Sequence, residues 1–183
     1  MPLITLLEKA YGPFQPRMFA PLLHSLCKGL KVRLEVIGKT PRGWIQVRVS
    51  GEDEAVTLRY LHQRIGLAPT SIERLRKFST VRGKVINAGK SKEELYVDVG
   101  VYSPRVCDAY LPLRTLQAQL ADGKKMPLWR ITELFCLYNN FPLEVKVKAD
   151  ADPEQGLVEA ELSEAQLAKF TDWINTRLDR LIV

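Results

Sequence analysis

The chain has 183 residues, of which 46% are hydrophobic and 26% charged, with a formal net charge of +6. That length allows one large domain or two small ones with ordinary cores. No apolar run reaches bilayer-spanning length, which argues against a helical membrane protein. The three cysteines, Cys27, Cys107 and Cys136, are odd in number and contain no Cys-x-x-Cys pair. They do not make a disulfide framework, and with only His24 and His62 to join them they do not make a four-ligand zinc set. They read as reduced, mostly buried thiols.

Charge is unevenly spread. Residues 1–70 carry a net +5, residues 71–130 carry +6 and residues 131–183 carry −5. A basic surface attracts polyanions; a solvated surface of mixed charge is the bland reading of the same numbers. The start, Met1-Pro2-Leu3-Ile4-Thr5-Leu6-Leu7-Glu8, lacks the basic opening and small-residue cleavage site of a signal peptide. It reads as a strand opening a domain, in a soluble, cytoplasmic protein.

Residues 1–70 predict a small α+β unit of order βαββα. After the first strand, Gly12, Pro13 and Pro16 mark a connection. Arg17 to Lys28 has the three- and four-residue spacing of a helix in Phe19, Leu22, Leu23, Leu26 and Cys27, with Gly29 as its stop. Pro21 would then fall in the first turns, where its missing N–H costs least. Lys31–Ile37 and Trp44–Ser50 alternate in polarity and form a hairpin across Gly38–Gly43. The two bases of that loop, Lys39 and Arg42, could approach a phosphate or simply solvate a turn. Asp53 is the expected N-cap of a second helix, with Val56, Leu58, Tyr60, Leu61 and Ile65 on its apolar side and Gly66 as its end.

Residues 71–183 read as a second domain. Ser71 caps a short helix running to Lys77. Arg74, Arg76 and Lys77 there, with Arg82 and Lys84 following, form the densest basic run in the chain. Five short strands come next: Val81–Val85, Leu95–Gly100, Asp108–Leu113, Leu143–Val147 and Leu157–Ser163. Between the third and fourth lies a helical insertion, residues 113–138. One helix, Leu113–Leu120, has Leu113, Leu116 and Leu120 on one face. Another starts at Pro127 and runs through Leu137 with a stripe of Leu128, Ile131, Leu134 and Phe135. Ser163 and Gln166 have capping-box spacing. They open a last helix over residues 163–179, whose apolar face is Leu167, Phe170, Trp173, Ile174 and Leu178. Its expected contact is the barrel that these five strands would close, or the N-terminal unit.

These strands resemble an S1-type OB-fold domain. The matching residues are Val81-Arg82-Gly83-Lys84-Val85, then Tyr96-Val97-Asp98-Val99-Gly100, then Val145-Lys146-Val147. The acidic turn from Asp150 through Asp152 to Gly156 and the closing Leu162-Ser163 complete the pattern. The resemblance covers somewhat under half the chain. It implies a small Greek-key barrel and RNA binding. More loosely, the whole chain resembles a family of uncharacterised archaeal proteins, which implies no activity. One departure stands out: many S1 domains have a His in strand three where this chain has Pro112, a residue suited to a strand end.

Catalytic sets are not evident. His24 and His62 sit singly in helical patterns, and there is no nucleophile elbow, phosphate loop or zinc-protease motif. Asp150, Asp152 and Glu154 lack the spacing of a calcium loop. The expectation is therefore a binding protein without a cofactor, a metal or a reaction of its own. Its partner would be RNA, single-stranded or structured.

On an OB-type surface, rings stack on bases and cations hold the backbone. With Val97 and Val99 inward, alternation turns Tyr96 and Asp98 outward. Tyr96 is the expected stacking ring, with Tyr110 nearby; packing of both tyrosines against the added helices is the other reading. Lys84, Arg82, Arg76, Lys77 and Arg74 are the expected phosphate contacts. Lys90 and Lys92 border the first hairpin, and Lys124 and Lys125 lie in the insertion. The alternative is a scaffold or protein-interaction module in a ribosomal, transcription or RNA-processing complex.

Overall fold

The computed structural model describes residues 2–12, 15–151 and 154–176. It is an α+β protein that divides into two compact units, Met1–Thr70 and Ser71–Val183. The first holds β1 (Leu3–Lys9), α1 (Gln15–Leu26), β2 (Val32–Lys39), β3 (Trp44–Gly51) and α2 (Glu54–Arg64). Its antiparallel sheet has the order β1-β3-β2. Alternation in the strands sends Leu6, Leu34, Val47 and Val49 into a core with Leu23 and Leu61 from the helices and Cys27 from the turn after α1. Arg48 and Glu35 point the other way and pair at 3.1 Å.

Three expectations for this unit change. Helix α1 begins at Gln15, two residues before Arg17, and ends at Leu26, so Pro21 is interior rather than in the first turns. An interior proline costs a helix about 3 kcal/mol. Burial of Leu23 on the same helix, and of Cys27 just beyond its end, offsets this. Asp53 occupies the N-cap position of α2 but makes no side-chain cap bond. Its carboxylate accepts the N–H of Lys31 at 2.7 Å instead, tying the helix start to β2. Val56 is exposed, so the buried side of α2 comes down to Thr57 and Leu61.

The second unit opens with a single 3-10 turn, Ile72–Arg74, in place of a helix reaching Lys77. The Ser71 hydroxyl does cap it, accepting from the N–H of Glu73. Then come β4 (Thr80–Ile86), β5 (Glu94–Val101), β6 (Cys107–Pro112), α3 (Leu113–Leu120), α4 (Leu128–Leu134), β7 (Pro142–Val147), β8 (Leu157–Leu162) and α5 (Glu164–Asn175). The five strands close a barrel in the order β4-β5-β6-β8-β7, with β6 and β8 parallel and the other pairs antiparallel. That arrangement is compatible with an OB-like fold.

Gly83 is the corner of this barrel. Before it, β4 pairs with β7; after it, β4 pairs with β5. A Cβ at Gly83 would lie 2.4 Å from the Asp98 carbonyl oxygen and 2.7 Å from Val97 Cγ1, so only glycine lets the strands cross this closely.

Val85, Val97, Val99, Leu111, Leu143, Val145 and Val158 fill the interior. Leu116 of α3 and Leu128 and Ile131 of α4 join that same core, so the insertion packs into the barrel's interior residues. The Gln119 side chain also extends the sheet. Its amide nitrogen donates to the Leu162 carbonyl at 3.0 Å and its oxygen accepts the Leu162 N–H at 2.9 Å. Pro112 is the last residue of β6 and precedes α3, where no ladder donor is needed.

Helix α4 stops at Leu134 rather than Leu137. The chain turns at Cys136, whose φ is +55°, and Leu134 is exposed rather than part of the buried stripe. Helix α5 lies on β7. Phe170 sits 5.2 Å from Phe135, 6.3 Å from Phe141 and 5.5 Å from Trp173 between ring centroids. Ile174 is exposed, and Leu178 and Asp179 lie outside the described residues, as does Asp152 of the acidic turn. Only half the capping box forms. Ser163 accepts from the Gln166 N–H at 3.1 Å, but the Gln166 side-chain oxygen accepts from the Glu144 N–H on β7 at 3.2 Å.

Candidate nucleic-acid interface

The outer surface of β5 and β6 carries the two expected tyrosines. Tyr96 and Tyr110 are direct cross-strand partners, and Tyr110 faces Glu159 on β8. Both rings are half-buried. The same register brings carboxylates alongside them. Tyr96 donates its hydroxyl proton to Glu94, and Asp98 faces Asp108 two pairs along.

The hydrogen bond to Glu94, then burial and the charge of Glu94, push the Tyr96 phenol above its ordinary value. Burial, then Glu159 and Glu94, do the same to Tyr110, with Lys148 opposing. Lys148 is engaged by Glu159 at 2.8 Å, and its own pKa is raised by that bond. Asp98 alternates outward as expected but is only 1% exposed, so it is buried under its neighbours rather than presented to solvent. Its carboxylate accepts the Gly100 N–H at 3.0 Å. Lys84 is half-buried and stands directly across from Asp98.

A second aromatic lies on another part of the barrel. Phe78 precedes β4, is 67% exposed and has φ +68°. A bulky residue there costs about 1–3 kcal/mol and persists only where its surroundings fix it. Here they do. The Phe78 N–H donates to the Val147 carbonyl at 2.7 Å, and the Val147 N–H donates to the Ser79 carbonyl at 2.9 Å. Ser79 returns to the Arg76 carbonyl through its N–H at 2.9 Å and its hydroxyl at 2.6 Å. The Lys77 N–H donates to Asp150 at 2.7 Å.

Around the ring, Lys77 Nζ is 5.0 Å and Lys146 Nζ 6.0 Å from the centroid. Arg74, Arg76 and Lys77 are exposed. Arg76 Nε donates to the Glu73 carbonyl at 3.3 Å. Lys146 pairs with Glu164, 4.0 Å away and 94% exposed, a solvated pair of little strength.

The other expected cations are dispersed. Arg82 pairs with Glu144 at 3.0 Å. Burial pushes the Glu144 carboxyl up, but the Ser163 hydroxyl, Arg82 and Lys169 outweigh this and hold it below the usual range. Arg82 thus serves a strand-to-helix network with Ser163, whose hydroxyl donates to Glu144 at 2.8 Å. Lys90 and Lys92 are exposed in the β4–β5 loop, and Lys124 and Lys125 in the turn between α3 and α4. Lys92, Ser91, Gly89 and Trp129 line an open cleft of about 370 Å³. In the hairpin of the first unit, Lys39 Nζ turns to the Ala10 carbonyl at 3.4 Å.

Sequence reasoning missed Phe78, Lys146 and Trp129. Phe78 sits directly beside Lys77, and that adjacency was the available signal. Among the described residues, no group of three His, Cys, Asp or Glu could hold a metal ion, and no helix is long and apolar enough to cross a membrane. Burial pushes the Cys107 thiol to about 11, so it is inert at neutral pH. No curated protein and no solved structure matches the chain. Residues 77–174, more than half of the chain and the whole barrel from just before β4 into α5, match the DUF2110 central domain. The chain belongs to the DUF2110 family.

Proposed function

We propose that the barrel unit is an RNA-binding module of the cytoplasm, S1-like in its use of a five-stranded barrel and without a reaction of its own. The observation that carries the reading is the exposed Phe78 ring with Lys77 and Lys146 beside it, next to the exposed Arg74 and Arg76 of the segment that leads into β4. Cations held on a rigid edge attract a phosphate backbone.

The tyrosine face serves this less well. A phosphate approaching Tyr96 and Tyr110 meets Glu94 and Glu159, with Asp98 and Asp108 buried two positions along the same strands. The test is a salt titration of a fluorescent single-stranded RNA. Each neutralised phosphate contributes about 0.7 to the slope of log affinity on log salt, so four cations give a slope of about −2 to −3. Arg76→Gln and Lys77→Gln are each expected to remove about 0.7 of it. Binding that ignores salt, or that ignores both substitutions, overturns the reading.

A second reading, a protein-interaction module, draws on a different observation. Trp129, Leu134 and Tyr138 are 65%, 51% and 55% exposed in and just after α4. Retention of a defined protein after nuclease treatment, lost on Trp129→Ser, would favour it over RNA binding.

A further inference from the structure

Phe78 breaks two rules that its neighbours obey. Leu75 and Val147 on either side of the turn are 1% and 0% exposed, while Phe78 is 67% exposed. Its φ of +68° suits asparagine or glycine better than an aromatic. Folding gains little apolar burial from the ring and bears the backbone strain. Hydrogen bonds between Phe78, Ser79 and Val147 and from the Lys77 N–H to Asp150 nevertheless fix segment 76–79 on the barrel, and Ser79 closes the turn by donating to the Arg76 carbonyl. A ring held out rigidly, with two ammonium groups at 5.0 and 6.0 Å, has the parts of a stacking surface for a planar group that carries negative charge at its sides.

We propose that Phe78 is a base-stacking platform which makes the basic edge selective for single-stranded RNA. An unpaired base stacks on the ring. Lys77 and Lys146, on flexible stems, move from the ring onto the flanking phosphates. A duplex keeps its bases stacked on one another and offers none to the ring, so it gains only the charge contacts. Any base has a flat face, so the platform reads strandedness and not sequence. This deepens the preceding reading and rests on it. It also differs from the expected site, since stacking on Tyr96 would use the outer face of β5 and β6.

The test compares fluorescence anisotropy at one moderate salt concentration for four probes. These are a short single-stranded RNA, the same strand with abasic sugars, a duplex RNA, and inorganic polyphosphate. The variants are Phe78→Asn, Phe78→Trp and Lys77→Gln. Wild type is expected to prefer the intact strand over the abasic one by about five- to tenfold, the lower part of the range for one stacked base.

Phe78→Asn is expected to erase that preference while the melting temperature holds or rises, because asparagine tolerates the left-handed backbone. Phe78→Trp is expected to retain the preference, and Lys77→Gln to weaken all four probes alike. Equal wild-type affinity for intact and abasic strands, or an intact-strand affinity unchanged in Phe78→Asn, overturns the platform and leaves the basic edge standing. A melting temperature that falls in Phe78→Asn in step with affinity also overturns it, since the ring would then be structural. Failure to bind any RNA or polyphosphate overturns the platform and the RNA-binding reading together.

Discussion

The tyrosine face of β5 and β6 and the Phe78 edge each set aromatic rings beside lysines, but different charges surround the rings. On the first, Tyr96 is bound to Glu94, Tyr110 faces Glu159, and Lys148 is engaged by Glu159. On the second, Lys77 and Lys146 approach the ring, Asp150 accepts a backbone N–H, and Glu164 stands 4.0 Å from Lys146 as a solvated partner. Rings and cations along a strand do not by themselves make an anion site. Cross-strand register decides which carboxylates arrive with them.

The largest expected effect comes from the support beneath the edge. Phe170 packs among Phe135, Phe141 and Trp173 and holds α5 on β7, the strand that carries Lys146 and Val147. Phe170→Ala is expected to cost about 3–5 kcal/mol in denaturant unfolding. Hydrogen exchange should rise more in β7 than in β5 or β6, which would show that the two regions have separate supports. Uniform acceleration would show one shared support.

Gly83 joins the two regions, because β4 leaves β7 for β5 at that corner. Gly83→Ala must displace the Asp98 carbonyl and is expected to cost about 1–3 kcal/mol. Unlike Phe170→Ala, it should loosen both regions together.

Acid offers a gentler separation. Glu144 has a lowered pKa in the folded chain, so its contribution to stability is complete above the ordinary glutamate value of about 4.3 and is lost as pH falls below it. Glu144→Gln is expected to flatten that part of the acid unfolding curve. An unchanged acid limb would show that the Ser163–Glu144–Arg82 network contributes nothing to it.

A smaller effect inverts the comparison. Glu94→Gln with Glu159→Gln strips two carboxylates from the tyrosine face and is expected to raise RNA affinity a few-fold at low salt, with less gain at high salt. The smallest is spectroscopic. Glu94→Gln is expected to bring the Tyr96 phenol back toward about 10, followed by ultraviolet absorbance against pH. If the phenol does not move, the carboxylate is not what holds it up.

Much of the architecture is readable from local pattern. Alternation locates the five strands, and Ser163 announces α5. What local pattern lacks is the register between strands distant in sequence. Asp98 alternates outward yet is buried because Lys84 and Asp108 stand directly across from it on β4 and β6. Gln166 fits a capping box, yet Glu144 of β7 takes its side chain. The turn at Phe78 is equally non-local, since Asp150, which helps to hold it, lies 73 residues beyond Lys77. The basic run from Arg74 to Lys84 was legible as charge. Its division into an edge around Phe78, an Arg82–Glu144 pair and a half-buried Lys84 required the barrel to close.

The most direct test of the central claim is the salt dependence of single-stranded RNA binding in wild type, in Arg76→Gln with Lys77→Gln, and in Tyr96→Phe with Tyr110→Phe. The expected result is a slope of about −2 to −3 in wild type, a slope reduced by about 1.4 in the edge double variant, and no change in the tyrosine double variant. A slope that survives loss of the edge cations but falls with the tyrosines would contradict it and return the site to the face of β5 and β6.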